Sequence, residues 1–299
     1  MNPVLTQPRV PSAGSAALRP PDELVHVDFE MVVRRLADDL AFGTDASMFV
    51  GSGLEYAQSR PYAYGDPVKM MDWRITARLG RPFVKDYETL KRTCVYLVVD
   101  TSASMGVAST AMTKHDMAVW IAAAVGLVGQ RHLRPVAIVG GGERQTRLRP
   151  SLNRSELWHD LEPLRRGDVT EKTNLAERLS LLDIRADRTS VVMVITDLHD
   201  PAVMLSLRHM AQKHDCIVVH LVDPAEVGPL RSGFYLGQEA ETGRTFIAHG
   251  RTRWQRAEQL DDELVRSGIS CVRLRTDEPF VAPLRHFLAA RAVVGRGLR

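Results

Sequence analysis

The sequence predicts an α/β chain: a doubly wound, mostly parallel six-stranded sheet preceded by a β-rich N-terminal module. Two observations predict it. From residue 93 onward, short β-branched runs alternate with helical patterns, the rhythm of strands covered by helices on both faces. Between residues 47 and 90, aromatics are mixed with glycines and charges and no long helix fits, which suits short strands and turns.

Taken in order, residues 1–25 hold five of the sixteen prolines and no periodic pattern, and read as a disordered tail. Residues 26–92 hold a helix and the β-rich module. Phe29, Val32, Val33, Leu36 and Leu40 fall on one helical face, and turns are expected at Gly51-Ser52-Gly53 and Gly65-Asp66-Pro67. Residues 93–299 form the α/β domain. Its expected strands are Cys94–Val99, Pro135–Val139, Arg144–Leu148, Ser190–Thr196, Cys216–Val222 and Ser270–Arg275. The short Gly140-Gly141-Gly142 link makes the third an antiparallel edge. Helical patterns run His115–Gln130, Arg154–Leu164, Leu175–Leu182, Val203–Lys213, Gln255–Arg266 and Pro283–Arg291. An insertion at 223–250 contains a second hairpin, Gly233–Leu236 with Thr245–Ala248.

Composition narrows the function. Thirty-nine Lys plus Arg against 36 Asp plus Glu is too even to argue for nucleic acid by charge. The longest stretch without a charge, Met117 to Gln130, is shorter than the ~20 residues of a membrane span. Val4 to Pro21 is too broken by Pro and Arg for a signal peptide, so a soluble, cytoplasmic protein without a direct membrane span is expected. Cys94, Cys216 and Cys271 each open a β-branched run without CxxC spacing and read as small buried hydrophobes in a reducing compartment.

The chemistry gathers after the first sheet strand. Val95–Val99 runs into Asp100-Thr101-Ser102-Ala103-Ser104, a carboxylate and two hydroxyls on the loop at a strand's carboxyl end. Alternate residues of an extended turn point the same way, and such oxygen donors suit a hard cation such as Mg²⁺. The strand Ser190–Thr196 ends in Asp197. In the order 3-2-1-4-5-6 it neighbours the first strand at the switch point, so Asp100 and Asp197 face one crevice. Thr173, at the start of the preceding helix, lies near the same edge.

Asp100-x-Ser102-x-Ser104, Thr173 and Asp197 together resemble the metal-ion-dependent adhesion site of von Willebrand factor type A domains. The resemblance implies Ser102, Ser104 and Thr173 as direct ligands, with Asp100 and Asp197 bound directly or through water. It implies Mg²⁺, or another divalent cation such as Ca²⁺ or Mn²⁺, with one position left for a partner's acidic residue. Gly53-Leu54-Glu55-Tyr56, Arg60-Pro61-Tyr62, Gly65-Asp66, Asp72–Arg78, Lys85–Glu88, Asp223-Pro224-Ala225-Glu226 and Glu241-Thr242-Gly243 are similar to the hallmark of the bacterial "domain of unknown function 58" proteins. That likeness implies a MoxR-type AAA+ ATPase partner and a role in maturation of, or metal insertion into, a client complex. The membrane hairpin that many such proteins carry before the hallmark is not expected here.

Alternatives stand beside these readings. The Asp100 cluster could be a capped helix start, with Lys172 compensating the acids. His199 and Asp200 read as a solvated loop. Arg60, Asp66, Asp72, Arg74 and Arg78 read either as an internal ion-pair network or as a docking surface; interleaved acids argue against nucleic acid. A Mg²⁺-dependent phosphohydrolase of haloacid-dehalogenase type would use Asp100 as nucleophile, Lys172 as charge clamp and Asp197 as metal ligand. That chemistry wants DxD, and Ser102 occupies the second position, where a hydroxyl cannot serve as the general acid.

Overall fold

The computed structural model describes residues 18–42, 54–66, 68–89, 93–142, 148–166, 174–186, 189–227, 234–238, 245–249 and 257–294. The first helix, α1 (His26–Ala41), buries Phe29, Val33, Leu36 and Leu40 on one face, as its spacing predicts. The module that follows pairs β1 (Leu54–Pro61) antiparallel with β2 (Phe83–Thr89), and between them lies a short helix, α2 (Trp73–Leu79). Gly65 makes the expected turn in the left-handed region (φ 106°). The turn expected at Gly51–Gly53 lies outside the described residues.

The α/β part runs β3 (Val95–Val99), α3 (Lys114–Arg131), β4 (Val136–Gly140), α4 (Arg154–Arg165), α5 (Leu175–Arg185), β5 (Val191–Thr196), α6 (Pro201–Ala211) and β6 (Asp215–Val222). The short α7 (Pro224–Val227) leads to a hairpin of β7 (Phe234–Gln238) and β8 (Thr245–His249). The chain then forms α8 (Ala257–Arg266), β9 (Ser270–Arg275) and α9 (Val281–Val294).

Five strands form one parallel sheet in the order β4-β3-β5-β6-β9. Its inner strands β3 and β5 and the neighbouring β4 are almost wholly apolar because both faces are covered. Val95, Leu97 and Val99 of β3 point to a cluster shared with α1, α3, α4 and α9. Tyr96 and Val98 point to the opposite cluster, shared with α5, α6 and α8. The expected sixth strand, Arg144–Leu148, falls almost wholly on residues 143–147, outside the described residues. Beyond them Ser151 makes an isolated antiparallel bridge to Val136.

Helix α3 is buried on every side from Met117 to Gln130, which accounts for its uncharged sequence. It lies between the sheet and a layer formed by α1 and α4, with the Phe29 and Trp120 rings 5.0 Å apart. Gly126 permits the closest approach: a Cβ there would stand 2.9 Å from Leu157 Cδ1 and 3.3 Å from Leu97 Cδ1. All three cysteines are free, and burial pushes the Cys216 thiol up to about 12, consistent with packing rather than reactivity.

Candidate functional site

The parallel register places Val99 beside Ile195, so β3 and β5 end side by side and deliver Asp100 and Thr196–Asp197 to one edge. The order of strands reverses between β4-β3 and β5, making this edge the switch point of the sheet. Asp100 N donates to the Ile195 carbonyl at 2.9 Å. The Thr196 hydroxyl donates to Asp100 Oδ2 at 2.7 Å, and Ser102 N donates to Oδ1 at 3.0 Å. The Ser102 and Ser104 hydroxyls are 3.0 Å apart. Ser102 stands at the start of the single 3-10 turn Ala103–Gly106, yet its side chain caps nothing there. Helix α3 is capped instead by Thr113, whose hydroxyl and Asp116 form a capping box. The capped-helix alternative therefore does not account for the serines.

Gly141 closes the edge from the β4 side. Its N–H donates to the Val99 carbonyl at 2.7 Å, and a Cβ would lie 3.3 Å from Asp100 Cα. Asn174 N donates to the Gly141 carbonyl at 3.1 Å, which brings the start of α5 to the same place. Thr173 and Lys172, immediately before it, lie outside the described residues.

Asp197 is buried and has a lysine and a histidine as neighbours. Lys114 Nζ lies 2.8 Å and His199 Nδ1 2.9 Å from its Oδ2. Leu198, buried in left-handed backbone (φ 57°), makes the turn that brings His199 back onto Asp197. Lys114 also pairs with Glu226, although no part of its side chain reaches solvent. Burial alone would raise the Asp197 carboxyl, but His199 and Lys114 outweigh it and hold the group below the usual range. Burial and the charge of Asp197 push Asp100 up to about 6. Lys114 is held above its ordinary value because Asp197 and Glu226 together overcome its burial.

The motif Asp223-Pro224-Ala225-Glu226 brackets this arrangement. Asp223 accepts from Ser109 N at 2.8 Å, from the Ser109 hydroxyl and from Ala225 N at 2.9 Å, fixing the loop that follows Ser104. Glu226 accepts from Asp223 N at 3.1 Å while holding Lys114. Sequence reasoning missed Lys114; its only signal was a cation at the head of a helix whose interior, Met117 to Gln130, carries no charge. His199 lies exposed in a loop, as expected, and is also a partner of Asp197.

The structure thus brings Asp100, Ser102, Ser104 and Asp197 to one sheet edge, with two serine hydroxyls and two buried carboxylates that repel one another. The donors are all oxygens, which suits a hard divalent cation, while the charge of Asp197 is already answered by Lys114. Asp100, Ser102 and Ser104 would hold it, with Asp197 behind them.

The second predicted group divides. Arg60 and Asp66 form a bidentate pair, both contacts 2.8 Å. Asp72 caps α2 by accepting from Arg74 N and Ile75 N at 3.1 Å each, and takes the Ser59 hydroxyl at 2.8 Å. These three bind the module together internally. Arg74 and Arg78 are exposed on α2.

A family profile described as "Protein of unknown function DUF58" matches residues 58–263. Uncharacterized proteins of Mycobacterium tuberculosis and Mycobacterium bovis are each 28% identical over 276 residues, covering 88% of this chain and 87% of theirs. Among solved structures, the conserved hypothetical protein BatB from Bacteroides thetaiotaomicron is similar at a TM-score of 0.46 and 16% identity, covering 68% of this chain and 99% of that one. With the profile spanning most of the β module, the Asp100 edge and the Asp223–Glu226 bracket, the chain belongs to the DUF58 family.

Proposed function

We propose that this protein is a non-catalytic, metal-dependent adaptor whose sheet domain is von Willebrand factor A-like, acting in the cytoplasm with a MoxR-type AAA+ ATPase in maturation of, or metal insertion into, a client complex. The observation that carries the metal half is the meeting of Asp100, Ser102, Ser104 and Asp197 at the switch point. Mg²⁺ or a similar divalent ion held there supplies a Lewis-acidic point that a partner's Asp or Glu completes. The protein's own groups do the rest: Thr196 and Ser102 N fix the Asp100 carboxylate, and Asp223 fixes the loop beside it.

The docking half draws support from α2. Asp66 and Asp72 are engaged internally, so the exposed charges of residues 68–85 are Lys69, Arg74, Arg78, Arg81 and Lys85, with Trp73 among them. Tryptophan with arginine is the composition of protein-interface anchors, and this sign of charge suits an acidic partner segment. The phosphohydrolase alternative finds less support: Ser102 stands where that chemistry needs a second carboxyl as general acid.

The test is Mg²⁺-dependent capture of the purified ATPase, lost in Ser102→Ala/Ser104→Ala while circular dichroism remains unchanged. Capture that persists in excess chelator overturns the mechanism. Ester hydrolysis that requires Mg²⁺ and vanishes in Asp100→Asn would establish the enzyme instead.

A further inference from the structure

The carboxylate, imidazole and carboxylate of Asp197, His199 and Glu226 offer ligand atoms that all lie within 4.8 Å of one another, a spacing that suits a metal ion. A cation already sits there. Lys114 Nζ is 2.8 Å from Asp197 Oδ2 and bonded to Glu226, and its side chain has no solvent exposure. Its position is imposed by packing. Lys114 is the first residue of α3, the Thr113–Asp116 capping box fixes that helix start, and the helix behind it is buried from Met117 onward. We propose that Lys114 is a tethered cation that fills the Asp197–His199–Glu226 cluster and so leaves Asp100, Ser102 and Ser104 as the place for a divalent ion.

Two consequences follow from charge. Asp197 Oδ2 is shared between an ammonium and an imidazole, so this oxygen is less available to an ion held by Asp100, Ser102 and Ser104. With much of the Asp197 charge answered by Lys114, an ion there keeps Asp100 as its principal anionic ligand among the described residues and stays attractive to an external carboxylate. Lys114 also ties the turn after β5 to α7, which leads into the β7–β8 hairpin, joining that insertion to the site.

The inference rests on the adaptor reading for the ion expected in the unaltered protein, and the experiment separates the two. Mn²⁺ is titrated into the full chain and the bound ion counted by electron paramagnetic resonance. The unaltered protein and Lys114→Arg should bind one ion; Lys114→Met should bind one more; Lys114→Met/Glu226→Gln should lose that addition. Where Lys114→Met unfolds without metal, the same occupancy is read as a rise in melting temperature with Mn²⁺ that exceeds that of the unaltered protein. A Lys114→Met chain that gains neither the extra ion nor the Mn²⁺-dependent rise overturns the proposal. An unaltered protein that binds none while Lys114→Met binds one leaves the tethered cation standing and removes the metal-dependent adaptor.

Discussion

The Thr196 hydroxyl donates to Asp100 Oδ2 across two adjacent strands at 2.7 Å, with both residues buried. It also accepts from Leu198 N at 3.1 Å, so one side chain steadies the carboxylate and the left-handed turn beyond it. Thr196→Val keeps the shape and removes both bonds. The expected loss is about 1–3 kcal/mol, because a buried carboxylate oxygen is left without a donor. Urea unfolding in chelator measures it, and a change within experimental error would show that the bond contributes nothing.

His214 provides the pH dependence. Its side chain is buried, its Nδ1 accepts from Ser190 N at 3.2 Å, and Asp183 Oδ1 lies 3.3 Å from Nε2. Burial, then the neighbouring Lys213, hold it below its ordinary value of 6.5, against the pull of Asp183. A second proton would also destroy the acceptor that Ser190 N uses. The unfolded chain therefore binds more protons below about pH 6.5, and the stability associated with neutral His214 is lost as pH falls through that value. His214→Gln, which keeps an acceptor, should lose less stability between pH 7.5 and 5.5 than the unaltered protein. Parallel unfolding curves for the two chains at both pH values would refute this.

Asp72 is a cap, and its removal should act on folding. Asp72→Ala deletes two backbone bonds at the start of α2 and the Ser59 bond. The expected cost is about 1–2 kcal/mol in chemical denaturation.

Arg74 and Arg78 should behave in the opposite way. Both are exposed, so Arg74→Glu/Arg78→Glu should leave stability within about 0.5 kcal/mol per site. Capture of an acidic partner should weaken at least about tenfold, with its salt dependence reduced. A double reversal that binds the partner undiminished would remove α2 from the interface.

Much of the fold was legible because local patterns and burial agree. Phe29, Val33, Leu36 and Leu40 mark one face of α1, and Val95–Val99 reads as a strand covered on both sides; each finds the environment that its pattern demands. The neighbouring ends of β3 and β5 were legible from topology, since helical crossovers between parallel strands leave few orders available. Helix α2 was not legible: seven residues starting at Trp73 span too few turns for a periodic signal, and Asp72 signals a cap only once the helix is known. Lys114 was hidden for a different reason. Its partners Asp197 and Glu226 lie 83 and 112 positions away, and neither local propensity nor spacing carries information at that range.

The sequence by itself determined the strands and long helices of the sheet domain, which residues are apolar enough to bury, and that oxygen donors follow the first sheet strand, because these depend on neighbours within a few residues. Tertiary structure alone decided which charges answer one another: Asp66 and Asp72 turned inward while Arg74 and Arg78 stayed out, and Lys114, 83 positions away, met Asp197. The physical reason is that a charge removed from water must find its counter-charge within a few ångströms, and only the packed chain sets which groups come that close.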